Sequence, residues 1–241
     1  MLFSLKTDQN QLKKMILSSQ ASFPSSYAFN FLPSRYIHEE WLRQIFGDVY
    51  DDNLRTKILK SPFADTRLNR LILKKFGLKG QYCYDFDSFA RRLALMPNQD
   101  LVKIVKIIGM IPYVDDLKKI IDGKDVKKIR SCIGNKEYRF LIKRLPFLLS
   151  EKLLLQMRRL KIDTFDINKL EDQSFNNGIN CLLIWIHSEP LSVSQRIRLK
   201  FKVQTSWEIH ESFKAINIEN VEMMFKKTIS EVLPAWRHLF A

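Results

Sequence analysis

The stretch Phe31-Leu-Pro-Ser-Arg-Tyr-Ile-His-Glu-Glu-Trp-Leu42 is typical of a turn that leads into a short helix. Pro33 fixes its own φ angle and biases Leu32 away from the α conformation, so the helix can begin only after the proline. Ser34 is a suitable N-cap and Gly47 a suitable end. The apolar residues after the cap share one helical face: Ile37, Trp41, Leu42, Ile45 and Phe46. The sequence therefore predicts a helix over residues 35–46 that packs on a core.

Three side chains of this stretch join an aromatic ring to a polar atom: Tyr36, His38 and Trp41. We predict a structural role for them, in which the rings pack and the polar atoms find local partners. An interface with a partner protein is the alternative. A catalytic role for His38 is not favoured, because a general base needs a positioned partner and no nucleophile lies nearby in the sequence.

Helical periodicity continues along the rest of the chain, with few alternating segments. Further helices are predicted over residues 66–76, 87–95, 98–108, 115–121, 124–132, 136–149, 151–159, 166–187, 191–200 and 219–240. Residues 81–84 and 201–205 could form at most one short two-stranded β element. The sequence thus predicts an all-α or predominantly α fold, in a single compact helical domain.

The opening stretch also carries a family resemblance. The chain resembles the SctK (YscK-like) family, the sorting-platform adaptor of bacterial type III secretion systems, at Phe31, Pro33, Tyr36, His38, Trp41 and Leu42. Leucine-rich segments look similar to that family in the same order, at residues 93–97, 138–147, 178–185, 195–200 and 232–240. The resemblance implies a helical adaptor domain over residues 29–241. Residues 1–28, which include six Ser and three Gln, are expected to be a poorly ordered or peripheral segment.

What the resemblance implies about function is recognition without chemistry. Proteins of this family are cytoplasmic adaptors that link the inner-membrane ring protein SctD to the pod protein SctQ, with SctL and SctN as indirect partners. The expectation is therefore a non-enzymatic protein without a cofactor, peripheral at the cytoplasmic face of the inner membrane. The sequence has no apolar run of about 18 residues and no recognisable signal peptide, which agrees with a cytoplasmic location.

The formal charge of +14 is concentrated in one part of the chain. Residues 118–161 contain nine Lys and five Arg against four acidic residues. Eight of these basic residues are predicted to line two successive helices, and we call them the basic ridge: Lys124, Lys127, Lys128, Arg130, Lys136, Arg139, Lys143 and Arg144. The ridge is a candidate surface for an acidic protein partner. A merely solvated face and contact with anionic lipid are the alternatives.

A basic nucleic-acid-binding regulator is the alternative function that the charge suggests. The basic helices lack an evident helix-turn-helix pair, however, and no aromatic strand typical of RNA-binding domains is present. Direct DNA or RNA binding is therefore the less favoured hypothesis.

Sequence motifs for common chemistries are absent. The chain has no GxxxxGK[ST], GxGxxG, GxSxG or HExxH motif. Cys83, Cys132 and Cys181 are too far apart for a zinc knuckle, and the four histidines are equally scattered, so no metal site is expected. An enzyme whose catalytic residues converge from distant positions is a third hypothesis, which a deep pocket with perturbed carboxylates or histidines would support.

Overall fold

The computed structural model describes residues 23–240, and it contains helices and turns but no strand in that range. The all-α prediction is confirmed. The helices are α1 (Phe23–Phe31), α2 (Glu39–Phe46), α3 (Asp52–Lys60), α4 (Pro62–Lys75), α5 (Phe89–Ala94), α6 (Asn98–Met110), α7 (Val114–Lys119), α8 (Gly123–Ile133), α9 (Asn135–Arg139), α10 (Leu145–Leu148), α11 (Glu151–Arg158), α12 (Leu170–Ile186), α13 (Leu191–Arg198), α14 (Ile218–Val232) and α15 (Arg237–Phe240).

The described residues divide into two compact units. Unit 1 comprises residues 23–98 and 189–205, and unit 2 comprises residues 99–188 and 206–240. The N-terminal segment predicted over residues 1–28 lies mainly outside the described range, and its last residues belong to α1. The domain boundary at residue 29 stays a prediction.

The predicted helix over residues 35–46 begins later than expected. Pro33–Arg35 forms a single 3₁₀ turn, and α2 begins only at Glu39. The N-cap is His38, whose backbone is extended and whose Nδ1 accepts a hydrogen bond from the Glu40 N–H at 3.3 Å. Ser34 is not the cap, because it lies inside the 3₁₀ turn, four residues before His38, and its hydroxyl donates to Asp65 Oδ1 at 2.7 Å. The predicted end at Gly47 is confirmed, with φ of 69° at that residue.

The core of unit 1 forms around α2, the helix of the Phe31–Leu42 stretch, which we call the motif. Its buried members come from α2, α4, the end of α13 and the intervening turns: Tyr36, Ile37, Leu42, Tyr50, Leu68, Ile72, Leu73, Leu78 and Leu199. Trp41 and Phe76 are half-buried and pack against this cluster. Their two rings meet edge to face, with centroids 5.4 Å apart. Burial of such side chains stabilises a fold by about 1.5–3 kcal/mol each, so this cluster contributes strongly to the stability of unit 1.

Two helices of unit 1 are absent from the sequence prediction. Helix α3 is capped by Asp51, whose Oδ1 accepts from the Leu54 N–H at 2.6 Å. Helix α1 includes the fully buried Phe29 and Asn30. The Asn30 amide donates to the Cys83 carbonyl at 2.6 Å and accepts from the Cys83 N–H at 2.8 Å. Residues 81–84 therefore pair with a side chain, and neither they nor residues 201–205 form the strand considered above.

Unit 2 contains a very close crossing of α6 and α12. A Cβ atom added at Gly109 would lie 1.7 Å from the Ser174 carbonyl oxygen, and one added at Gly178 would lie 1.9 Å from the Val105 carbonyl oxygen. Each glycine thus lets the backbone of the other helix approach. Gly109 lies inside α6, which extends two residues past the end predicted at residue 108.

Prolines reshape two of the longer predicted helices in unit 2. Pro146 has no N–H to bond the carbonyl four residues earlier, and the segment ahead of it, Phe140–Arg144, opens into a π-helical turn between α9 and α10. The helix predicted over residues 219–240 stops at Val232. A 3₁₀ turn at Pro234–Trp236 separates it from the short α15.

All three cysteines are free thiols. Cys83 in unit 1 and Cys181 in unit 2 are buried, whereas Cys132 on α8 is half-buried. Burial raises the pKa of Cys83 to about 11 and that of Cys181 to about 12.

Among the described helices, none combines the length and apolar character needed to cross a bilayer.

Candidate functional site

The polar atoms of Tyr36, His38 and Trp41 form hydrogen bonds within unit 1. The Tyr36 hydroxyl donates to the Phe29 carbonyl at 2.8 Å, and the Trp41 Nε1–H donates to the Phe201 carbonyl at 2.9 Å. His38 caps α2 through its ring, while its backbone N–H donates to the Leu199 carbonyl at 2.7 Å. Burial lowers the pKa of His38, a shift that favours the neutral imidazole needed for the cap. These contacts favour the structural role that the sequence predicts.

A second feature of unit 1 is a pair of buried cations beside the motif. Arg196 has no exposed surface, and its guanidinium donates to the carbonyls of Phe29 at 3.1 Å, Ser192 at 2.7 Å and Asn30 at 3.3 Å. Its Cζ lies 5.6 Å from the Phe29 ring centroid. Burial lowers the pKa of Arg196 and raises the pKa of the neighbouring Tyr36. The guanidinium thus ties α1 to α13.

The second cation is Lys200, which is 3% exposed. Its Nζ donates to the Ala94 carbonyl at 2.6 Å and to the Met96 carbonyl, and lies 5.3 Å from the Tyr36 ring centroid. Burial lowers the pKa of Lys200 from 10.5 to about 7. A lysine with such a pKa can act as a base or nucleophile, but only where a substrate reaches it. Because Nζ is enclosed and bonded to two carbonyls, Lys200 serves to hold the end of α5.

Sequence reasoning missed both cations. Arg196 and Lys200 fall in the helix predicted over residues 191–200. No local signal separates a buried basic residue from an exposed one on such a helix, because all but one of the carbonyls that accept from Arg196 and Lys200 belong to distant residues, at positions 29, 30, 94 and 96.

The basic ridge lies in unit 2, and the structure leaves all eight of its side chains exposed. They are carried by α8, α9 and the π-helical turn. Three have partners: Lys128 bonds Asn168, Arg130 lies 5.1 Å from the Tyr138 ring centroid, and Arg144 pairs with Glu231. The other five form no ion pair with a carboxylate among residues 23–240: Lys124, Lys127, Lys136, Arg139 and Lys143.

The acidic residues between positions 122 and 144 are fewer than the eight basic residues of the ridge: Asp122, Asp125 and Glu137. Glu137 is buried and paired with Lys103 of α6, and Asp122 is the N-cap of α8, accepting from the Lys124 N–H at 2.7 Å. The ridge therefore presents a net positive face. Positive charge of this kind attracts anionic partners and accelerates their encounter.

Within residues 23–240, no group of three His, Cys, Asp or Glu side chains is arranged to hold a metal ion. The imidazole of His210 contacts Ser212 on its own turn, at 2.8 Å between Nδ1 and Oγ.

A comparison with known protein families identifies the family of this chain. A family model described as YOP proteins translocation protein K (YscK) matches residues 24–241. No curated protein and no solved structure matches the chain. The family match includes the Phe31–Leu42 stretch and runs through both units. Since it spans far more than half of the 241 residues, the chain belongs to the YscK family of type III secretion proteins.

Proposed function

We propose that the chain is a non-enzymatic cytoplasmic adaptor of a type III secretion system. It links the inner-membrane ring protein SctD to the pod protein SctQ of the sorting platform, and through them serves SctL and SctN. The family match over residues 24–241 is the observation that carries this proposal. The exposed basic surface supports a binding role.

The basic ridge is the proposed contact surface for one of these two partners. Its five side chains without carboxylate partners lose only hydration when an acidic surface approaches, and no internal ion pair has to break. Because the ridge spans successive helices, it also fixes the register of a partner. Complementary charge then contributes mainly to encounter rate and orientation.

The test is a charge reversal of four ridge lysines, Lys124, Lys127, Lys128 and Lys143, to Glu. We expect binding to purified SctD cytoplasmic domain or SctQ to weaken about tenfold or more, since each reversal replaces an attraction by a repulsion. The remaining binding should depend less steeply on salt, because fewer charge contacts are left to screen. Biolayer interferometry at two salt concentrations measures both quantities.

A matched control reverses four exposed lysines outside the ridge: Lys57, Lys152, Lys202 and Lys227. This variant has the same net charge as the ridge variant and should retain wild-type binding. If both variants bind SctD and SctQ equally well, the ridge is a solvated face and the proposed contact is wrong.

Two further probes separate the proposal from its alternatives. Phosphatidylglycerol vesicles test contact with anionic lipid, and a DNA duplex tests the regulator hypothesis. Micromolar or tighter DNA binding at physiological salt with a steep salt slope, together with no capture of SctD or SctQ, would replace the adaptor by a nucleic-acid-binding protein.

A further inference from the structure

A concave groove of about 570 Å³ opens on the surface of unit 1. Its walls come from α1, from α4 and from the loop that follows α4. Three aromatic side chains line it, Tyr27, Phe31 and Tyr82, and we call it the aromatic groove. Its volume lies within the range of about 300–1,000 Å³ in which proteins bind small ligands and single side chains.

The three rings form a continuous apolar wall. Ring centroids of Tyr27 and Phe31 are 5.1 Å apart, and those of Phe31 and Tyr82 are 4.8 Å apart. Tyr27 is 48% exposed, whereas Phe31 and Tyr82 are half-buried. The wall is thus most accessible at Tyr27 and more sheltered at Phe31 and Tyr82.

Buried hydrogen bonds hold the three walls in place. Asn30 joins α1 to the loop through its two bonds with Cys83. Ser34, which follows α1, donates twice toward α4: its N–H donates to Asn69 Oδ1 at 2.8 Å and its hydroxyl donates to Asp65 Oδ1 at 2.7 Å. A groove fixed in this way is preformed, so little ordering cost opposes the binding of a ligand.

The rim of the aromatic groove is basic. Arg70, Lys74 and Lys79 lie along it, all exposed, and no carboxylate is among the described residues that line it. Asp65 is the one acidic residue between positions 53 and 84, a range with eight basic residues, and it is buried and paired with Arg35. The rim therefore offers positive charge that the described part of the chain leaves without an ion pair.

We propose that the aromatic groove is a docking site for an acidic peptide segment of a partner protein. The segment inserts one apolar side chain against Tyr27, Phe31 and Tyr82, and its carboxylates pair with Arg70, Lys74 and Lys79. The inference goes beyond the adaptor proposal, because it uses unit 1 alone and none of the ridge residues.

The shape of the groove favours a peptide over other anions. Stacking of single-stranded nucleic acid needs successive exposed ring faces, and here two of the three rings are half-buried in a concave wall. A lipid surface needs a protruding apolar patch, whereas this apolar wall is recessed. An extended chain can place one side chain in the recess and its acidic neighbours at the rim.

Fluorescence anisotropy with the full-length chain tests the proposal. The probe is a fluorescein-labelled peptide rich in Asp and Glu with one central Phe, and its partner probe has Ser in place of Phe. We expect the Phe peptide to bind about tenfold more tightly than the Ser peptide. Y27S and K74E should each weaken the Phe peptide by about five- to tenfold. K75E changes an exposed neighbour that does not line the groove, so it should bind like wild type.

Circular dichroism confirms folding of each variant, and Tyr27→Phe should retain binding because its ring is kept. Equal binding of the Phe and Ser peptides, or equal loss in K74E and K75E, would show simple charge attraction and overturn the proposal. Tighter binding of a poly(dT) oligonucleotide or of phosphatidylglycerol vesicles, reduced by Y27S, would assign the groove to another class of ligand. These readouts use no secretion protein, so their failure leaves the adaptor proposal to its own test.

Discussion

Different kinds of contact stabilise the interior of unit 1 and the interior of unit 2. In unit 2, α6 and α12 approach until only glycine fits at Gly109 and Gly178, and the contact is made by backbone atoms. In unit 1, distant segments are joined by long polar side chains, chiefly Arg196 and Lys200, which reach carbonyls far away in the sequence. A backbone contact tolerates almost no added volume, whereas a side-chain contact depends on charge and protonation. The units should therefore respond to different perturbations.

The largest expected effect is in unit 2. Gly178→Ala places a methyl group where the Val105 carbonyl oxygen lies, at 1.9 Å from the new Cβ. Because the obstacle is backbone, the helices must separate, and we expect a loss of about 4 kcal/mol or more in the free energy of unfolding. Urea denaturation measures the loss, and hydrogen exchange should locate it in residues 99–188.

Gly123→Ala is the matched control, because no atom lies within 4 Å of a Cβ at that position. It should change the free energy of unfolding by less than about 1 kcal/mol. Wild-type stability of Gly178→Ala would mean that the crossing is looser than the structure describes.

A smaller effect is expected at the motif in unit 1. Trp41→Ala removes the hydrogen bond to the Phe201 carbonyl and the edge contact with Phe76. Since Trp41 is half-buried, the cost should be about 3 kcal/mol, at the low end for removal of a large aromatic side chain. Thermal and urea unfolding measure it.

Phe63→Ala on α4 removes an aromatic ring that is 66% exposed, and it should cost less than about 1 kcal/mol. If Trp41→Ala instead keeps full stability and loses binding to SctD or SctQ, the motif is an interface and its structural role is wrong.

The smallest effect depends on pH and comes from Lys200. Its folded-state pKa of about 7 lies below the ordinary 10.5, so between these values the unfolded chain binds a proton that the folded chain does not. The free energy of unfolding contributed by Lys200 therefore rises with pH across this window, by at most about 1.4 kcal/mol per unit. The neutral amine keeps two N–H donors for the two carbonyls.

The measurement is the difference in unfolding free energy between wild type and Lys200→Met, taken at pH 6, 7, 8 and 9. The difference should be flat below pH 7 and should grow above it. Lys202→Met, at an exposed position, should show no such growth. A difference that stays constant with pH would mean that Lys200 is not enclosed.

Much of the fold follows from the sequence because local periodicity fixes most helices. The apolar pattern of residues 98–108 predicts α6 almost to the residue, and Gly47 ends α2 as expected. The family resemblance at Phe31–Leu42 is also local, and the match over residues 24–241 confirms it. Features that depend on neighbouring residues along the chain can thus be predicted from the sequence.

Features that depend on contacts between distant segments cannot be predicted from the sequence in this way. Helix α1 has a weak helical pattern and is held by the contacts of Asn30 with Cys83, so no local rule predicts it. His38, not Ser34, caps α2, since Ser34 lies in a 3₁₀ turn and its hydroxyl bonds Asp65, thirty-one residues on. The basic ridge follows from consecutive residues, but the aromatic groove combines three separate segments and became visible only in the structure.

The distribution of the thiols gives each unit its own reporter. Alkylating reagents attack the thiolate, and burial with a raised pKa protects Cys83 in unit 1 and Cys181 in unit 2 until the surrounding structure opens. Cys132, half-buried on α8, is the most accessible of the three thiols, although burial raises its pKa as well. A brief pulse of alkylation followed by peptide mass spectrometry would therefore record which unit opens first, with no engineered label.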